Sequence, residues 1–427
     1  MERRNISLET YNKIKDRLPI EIINMLPEEP FELLKYATRV VKINIAPNID
    51  EDTAKLMKEY LLSDEEYLLT FFYVMAISFY NKKPTDTPKL TIVAAQTGSG
   101  KSNLTAKILR ENENYLFVDS DKYKHYRYDA VDISNKYPLL YPFLTGPDGY
   151  DHAENIYEYA LDHKYNIIKE TAPSYNKGLL GVDINKLKKN KYEISLNILA
   201  VSGLNSALSM HERYEVQILS GLKTAKLTGI HRHNESYNSL IPNIQQLLEN
   251  KDITEIKVFK RGVEKEGFNP ILIYPSTKYK TPIEAVEEER AKDYEETKQN
   301  LEDRYKLLLK QMKRRNAPEK QYSQLDEIKK LWERKGLIKY RLKFLYNWLY
   351  EKKMEDIEFD IQKDLALDII TNNIVKNTRE YSVTQDKEKS DKLKDKVNVL
   401  NRIKDEIYLG NVDMINKVIE KNRKGIL

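Results

Sequence analysis

Leu90-Thr91-Ile92-Val93-Ala94-Ala95-Gln96-Thr97-Gly98-Ser99-Gly100-Lys101-Ser102-Asn103 is the stretch whose reading decides the fold. Its first five residues are short, mostly apolar and β-rich, as in a buried strand. Residues 103–109 then read as helix. Between them, Ala95 to Ser102 follows the pattern G-x-x-x-x-G-K-[ST], with Ala95 in place of the first glycine. Phosphates need many N–H donors at close range, and a glycine-bearing loop exposes its backbone amides. Lys101 then reaches the β/γ-phosphates and Ser102 offers its hydroxyl to Mg²⁺. The following helix adds its positive N-terminal end. Gln96, Thr97, Gly98, Ser99, Gly100, Lys101, Ser102 and Asn103 are therefore candidate contacts for ATP or GTP, with a simple glycine turn before a surface helix as the alternative.

Outward from this loop, strands at 115–119, 166–169, 192–201 and 255–259 alternate with helical stretches. That alternation predicts an α/β domain with a doubly wound parallel sheet over 88–274. Ligands of such sheets sit beyond the carboxyl ends of the strands, where both the loop and Asp119-Ser120-Asp121 fall. Residues 1–87 read as an N-terminal helical segment, closed by Pro84 and Pro88. Over 275–427 Gly and Pro become scarce and Glu, Lys, Leu and Tyr dominate, which predicts a charged helical region. Leu331, Ile338, Leu342, Leu345 and Leu349 recur there at helical spacing beside Trp332 and Trp348, the pattern of a packed bundle. Residues 387–396 are charge-rich, a candidate flexible stretch.

The chain of 427 residues is long enough for two or three cores. It holds no cysteine, which excludes disulfides, zinc ribbons and cysteine nucleophiles. A net charge of +5, from 71 basic and 66 acidic residues, gives no argument for nucleic acid. The first residues lack an apolar signal core, and the longest apolar run, 67–80, is too short for a membrane span. The expectation is a soluble, cytoplasmic protein without membrane contact. His231-x-His233 is the one close histidine pair and reads as a loop or cap feature, since no third ligand is evident.

A phosphate cradle alone names no reaction. Asp121 ends the second strand region, twenty residues after Lys101, where a carboxylate could take a proton from an attacking hydroxyl. Asp119 could hold the Mg²⁺ shell or the loop, and the bland reading of Asp119-Ser120-Asp121 is a strand-ending turn with an Asx cap. Phosphoryl transfer also needs cations on the transferring group. Arg213 in His211-Glu212-Arg213-Tyr214-Glu215 and Lys226 in Thr224-Ala225-Lys226-Leu227-Thr228 fit by order, although each alone also reads as a solvated surface cation.

The ordered set formed by 95–102, Phe117-Val118-Asp119-Ser120-Asp121, Ala200-Val201, Glu212-Arg213-Tyr214-Glu215 and 224–228 resembles the zeta toxin family of P-loop kinases, over about residues 70 to 274. The resemblance implies a P-loop kinase-like fold and transfer of phosphate from ATP or GTP, with Mg²⁺, to the 3′-hydroxyl of UDP-N-acetylglucosamine, usually under control of a small antitoxin. It makes Asp121 the general base and Arg213 the first phosphate-binding arginine. It also makes Asp119 the first acid of that strand end, Glu154 a substrate-site acid, and Glu170 and Thr171 the segment beside the sugar nucleotide. Three departures stand out. Lys226 replaces the second arginine and loses its bidentate fork, with Arg232 as a nearby substitute. Arg127-Tyr128 replaces a His-Pro pair, and Ala172-Pro173-Ser174-Tyr175 lacks an expected arginine. The last two fall on substrate recognition, so other acceptors (NAD, nucleotides, nucleic-acid ends) stay open. The alternative from another class is a nucleotide-controlled interaction protein acting through its helical tail.

Overall fold

The run Leu90 to Ala94 forms the central strand of a six-stranded sheet because it is apolar on both faces, as a strand covered on both sides must be. In the computed structural model the described residues are 3–41, 49–137, 140–174, 183–219, 225, 227–250, 253–262, 269–333, 366–367, 369–370, 373–374, 377, 380, 384, 386–408 and 411–424. Two short strands, β1 (Arg3–Asn5) and β2 (Thr38–Val40), pair antiparallel near the N-terminus. The main sheet contains β3 (Lys89–Ala94), β4 (Tyr115–Val118), β5 (Asn166–Thr171), β6 (Glu193–Ala200), β7 (Glu255–Lys260) and β8 (Ile271–Tyr274). Its order is β4-β5-β3-β6-β7-β8; every pair is parallel except β7 with β8.

Helices surround this sheet. Before it come α1 (Leu8–Ile14), α2 (Ile20–Ile23), α3 (Pro30–Leu33), α4 (Glu51–Glu59) and α5 (Asp64–Phe79). Between its strands run α6 (Lys101–Glu111), α7 (Ser120–Lys124), α8 (Ala130–Lys136), α9 (Tyr141–Leu144), α10 (Gly146–Asp162), α11 (Ile184–Lys189), α12 (Gly203–Leu219) and α13 (Ile230–Asn250). Beyond it lie α14 (Pro282–Gln299), α15 (Leu301–Arg314), α16 (Glu319–Glu333) and two further helices, Lys387–Tyr408 and Val412–Arg423. α5 is the apolar run 67–80 of the sequence, started by a reciprocal Ser63/Glu66 capping box. Among the described residues, no helix is long and apolar enough to cross a membrane.

The strand alternation expected from the sequence is present, and the α/β fold with a parallel-dominated sheet stands. Leu90, Ile92, Leu116, Ile167, Leu196 and Ile198 pack on one face with α5, α10, α13 and the N-terminal helices. Val93, Ile168, Leu199 and Phe259 pack on the other with Leu104 of α6. Ala285 and Val286 of α14 belong to the first core, so the helical region after residue 275 begins by covering the sheet. α12 then receives α15 and α16 through Leu204, Leu208, Leu308, Met312, Leu325 and Ile328. The charge-rich 387–396 opens the helix Lys387–Tyr408, whose Leu400 and Ile407 join an apolar cluster with Val418. Ile338, Leu342, Leu345, Trp348 and Leu349 lie outside the described residues.

Strand order reverses at β3: the chain moves to β4 and β5 on one side, then to β6 and β7 on the other. That reversal opens a crevice at the carboxyl end of β3, where the glycine loop begins.

Candidate active site

The loop between β3 and α6 turns at two left-handed glycines, Gly98 (φ +79°) and Gly100 (φ +88°). Gly98 is also pressed onto α12: a Cβ there would stand 2.1 Å from the Ser206 carbonyl oxygen. Only glycine meets both demands. Gly100 precedes the first turn of α6, so the loop amides and the helix N-terminus converge at one place. Lys101 folds back over its own loop, and its Nζ donates to the Ala95 carbonyl (3.0 Å) and the Gln96 carbonyl (3.1 Å). Ser102 is exposed on the first turn. The buried Gln96 side chain anchors the loop from behind, donating to the Val201 carbonyl at 2.8 Å and to Ser206 Oγ at 3.0 Å.

Two arginines that the sequence reading did not single out complete the support. Arg261, just past β7, donates to the Gly98 carbonyl at 3.0 Å and to Ser209 Oγ at 3.4 Å. Arg290 of α14 donates to Gln96 Oε1 at 3.2 Å and stacks over the Tyr237 ring at 4.0 Å. Burial pushes its guanidinium down to about 10, which leaves it charged at neutral pH. His233 is buried with Nε2 2.8 Å from Ser206 Oγ. Burial, then the charges of Lys101 and Arg290, push it down to about 4, so it is a neutral strut; no described cluster of His, Asp or Glu could hold a metal ion.

The second expected constellation also stands at the carboxyl edge. Asp119 caps α7, accepting from the Asp121 backbone N–H at 2.9 Å, as an Asx cap does. Burial, then the Asp121 charge, raises its carboxyl above the usual range. Asp121 itself is exposed and pairs with the buried Lys124. Gly149 makes that pairing possible, because a Cβ there would meet Lys124 Cγ at 2.7 Å where α7 crosses α10. The two carboxyls thus hold different environments, one half-buried and one presented to solvent. The arrangement fits a structural cap beside a proton acceptor.

Glu154 is exposed on α10, one turn before Tyr157, whose ring lies 4.8 Å from Lys169 Nζ. Thr171 ends β5, its carbonyl accepting from the Ala95 N–H. Glu170 points to the other face of the sheet and accepts from Thr105 of α6 at 2.7 Å. Glu154 and Glu170 are therefore on opposite faces. Thr105 is one turn past Ser102, so the Glu170 carboxylate shares the Ser102 side of α6. A hydroxyl and a carboxylate suit a hard divalent cation such as Mg²⁺.

Arg213 is half-buried on α12. It shares a helix stripe with Ser206, Ser209 and Met210, the residues facing Gly98 and Arg261. Lys226 lies outside the described residues. Arg232 holds the segment after β5 by donating to the Ala172 carbonyl at 2.6 Å and the Pro173 carbonyl at 2.9 Å. Arg127 requires a correction: it does not face a substrate. It is 1% exposed and binds Asp148 at 2.6 Å, both oxygens of Asp129 at 2.9 Å and the Tyr60 carbonyl at 2.5 Å. Five donors on one side chain let it close a buried junction that no solvent-facing role requires.

Together the sheet reversal, the glycine loop and the lysine folded over it define a P-loop α/β protein. Residues 76–270 match the family model described as Zeta toxin. Over these residues the chain is similar to the zeta toxin family. Toxin zeta of Enterococcus hirae is 25% identical over 182 residues, 42% of this chain and 63% of that protein. Toxin zeta of Streptococcus pyogenes is likewise 25% identical over 182 residues. The matched part thus spans 63% of the length of these relatives. A solved structure from the PezAT chromosomal toxin-antitoxin system of Streptococcus pneumoniae aligns with TM-score 0.47 and 15% identity, covering 60% of this chain and 98% of that one.

Proposed function

We propose that this protein is an ATP- or GTP-dependent phosphotransferase acting on a hydroxyl of a nucleotide-sugar, the 3′-hydroxyl of UDP-N-acetylglucosamine. The observation that carries the reading is the pairing, at one sheet edge, of a glycine loop covered by Lys101 with an exposed aspartate beyond β4. Loop amides and Lys101 hold the β- and γ-phosphates, and Ser102, with Glu170 on its side of α6, is suited to hold Mg²⁺. When bound, that ion supplies positive charge to the phosphate oxygens. Asp121 takes the proton from the acceptor hydroxyl. The acceptor oxygen forms its bond to the γ-phosphorus as the bond from that phosphorus to the β,γ-bridging oxygen breaks, and ADP leaves with the electron pair. Arg213 steadies the charge on the transferring group, with Lys226 or Arg232 as the second cation. The sugar nucleotide lies toward Asp119, Glu154 and Thr171, whereas Glu170, on the opposite face of the sheet, serves the Mg²⁺ side. A cytoplasmic setting supplies both substrates, and a small antitoxin protein is the controlling partner.

The test is ADP release from ATP–Mg²⁺ with a panel of UDP-N-acetylglucosamine, NAD, nucleosides and a 5′-hydroxyl oligonucleotide, with Lys101→Ala as control. Release dependent on UDP-N-acetylglucosamine and lost in Lys101→Ala is expected. Release with another member replaces the acceptor; slow release that ignores every acceptor sinks the phosphotransferase reading in favour of a nucleotide switch.

A further inference from the structure

α12 presents different residues to two neighbours. Ser206, Ser209, Met210 and Arg213 form the stripe along the glycine loop, whereas Asn205, Glu212 and Glu215 form an adjacent stripe toward the helices that follow the sheet. The second stripe is clamped. Arg304 of α15, 3% exposed, grips Glu212 with Nε and Nη2, each at 2.6 Å, and donates to Asn205 Oδ1 at 2.9 Å. Arg315 grips Glu215 in the same two-pronged way. Bidentate guanidinium–carboxylate pairs fix direction as well as distance, so these contacts fix how α12 is rotated about its axis. That rotation sets where Arg213 points.

The clamp also reaches the loop itself. Arg304 Nη2 donates to Ser209 Oγ at 3.3 Å, and the same oxygen accepts from Arg261, which holds the Gly98 carbonyl. A second link runs from Arg290 to the Gln96 side chain, and Asp293 accepts from the Ser202 N–H at 2.7 Å where α12 begins. Arg290 and Arg304 both lie outside residues 76–270, the part that matches the family model.

We propose that Arg290 and Arg304 are positioning residues for the phosphate site, setting the loop at Gln96 and Gly98 and the turn of α12 that carries Arg213. The inference rests on the reading of that loop as an ATP site. The helices after the sheet are then part of the working site, holding the phosphate cradle from behind.

The test is ATP–Mg²⁺ titration of the full chain as wild type, Arg304→Gln, Arg290→Gln, Ser209→Ala and Leu325→Ala. Leu325 is fully buried in the cluster joining α12, α15 and α16, so its truncation loosens the same helices without touching the polar links. The expected result is an ATP affinity about tenfold lower in Arg304→Gln and Arg290→Gln and a smaller loss in Ser209→Ala, with Leu325→Ala within about twofold of wild type. Where Arg304→Gln does not fold, Ser209→Ala and Arg290→Gln decide, since each removes one link of the network. Wild-type affinity in these polar variants, or an equal loss in Leu325→Ala, would overturn the proposal. A wild-type chain that binds ATP but phosphorylates nothing sinks the phosphotransferase reading alone, whereas one that binds no ATP sinks both.

Discussion

At the scale of single residues, identical chemistry serves opposite ends depending on where the chain puts it. In the sequence Arg213 reads as a cation for the phosphate and Arg127, in place of a His-Pro pair, as a residue on the substrate side. Arg127 instead shares Asp148 with Arg39, whose Nη2 donates to that carboxylate at 2.9 Å. Two buried arginines on one buried aspartate make a junction between the N-terminal segment and α10. Removing one partner leaves the rest of the cluster desolvated and uncompensated. Arg127→Gln should therefore lower unfolding stability by about 3 to 5 kcal/mol in urea titration, while the variant that remains folded binds ATP as tightly as wild type. A weakened ATP site at unchanged stability would restore Arg127 to a role in the site.

At the scale of elements, the sequence is readable where signals are local. β3, the glycine loop and α6 are contiguous, so strand character, turn residues and helix all appear within one window. Asp119-Ser120-Asp121 is readable for the same reason, and the Asx cap and the exposed carboxylate turn out to be different residues of one motif. β1 and β2 are three residues each and pair across more than thirty residues, Arg3 opposite Val40, so no local periodicity announces them. β8 is likewise short, and its antiparallel pairing depends on a return after β7. The support behind the site is the least legible part. Arg261 to Gly98, Arg290 to Gln96 and Arg304 to Glu212 span 163, 194 and 92 positions. In a charged helical stretch Arg290 and Arg304 read as a solvated face, and only the packing of α14 and α15 onto α12 reveals them as buried. The boundary near residue 275 is a real change of composition, yet α14 continues the core across it.

At the scale of the whole molecule, α12 links three parts. Its first turns press on the glycine loop, its middle binds α15, and Val216 near its end touches the cluster of the last two helices. Burial also sets how the whole fold responds to acid. His152, His211 and His233 are fully buried, and desolvation pushes them down to about 3, about 4 and about 4. An unfolded histidine titrates near 6.5, so below that pH the unfolded chain binds protons that the folded chain refuses. Stability is thus full above about pH 6.5 and is lost as pH falls toward 4, by up to about 1.4 kcal/mol per pH unit for each histidine. Urea midpoints at pH 7.5, 5.5 and 4.5 should fall in that order; a flat series would show that these rings are reachable by solvent. The central claim, transfer of a phosphoryl group with Asp121 as proton acceptor, is tested most directly by the mass of UDP-N-acetylglucosamine after incubation with ATP–Mg²⁺ and either wild type or Asp121→Asn. The account predicts one added phosphoryl group with wild type and a rate at least about 10²-fold lower with the variant at unchanged ATP affinity. An unmodified acceptor with wild type, or equal rates with both proteins, would contradict it.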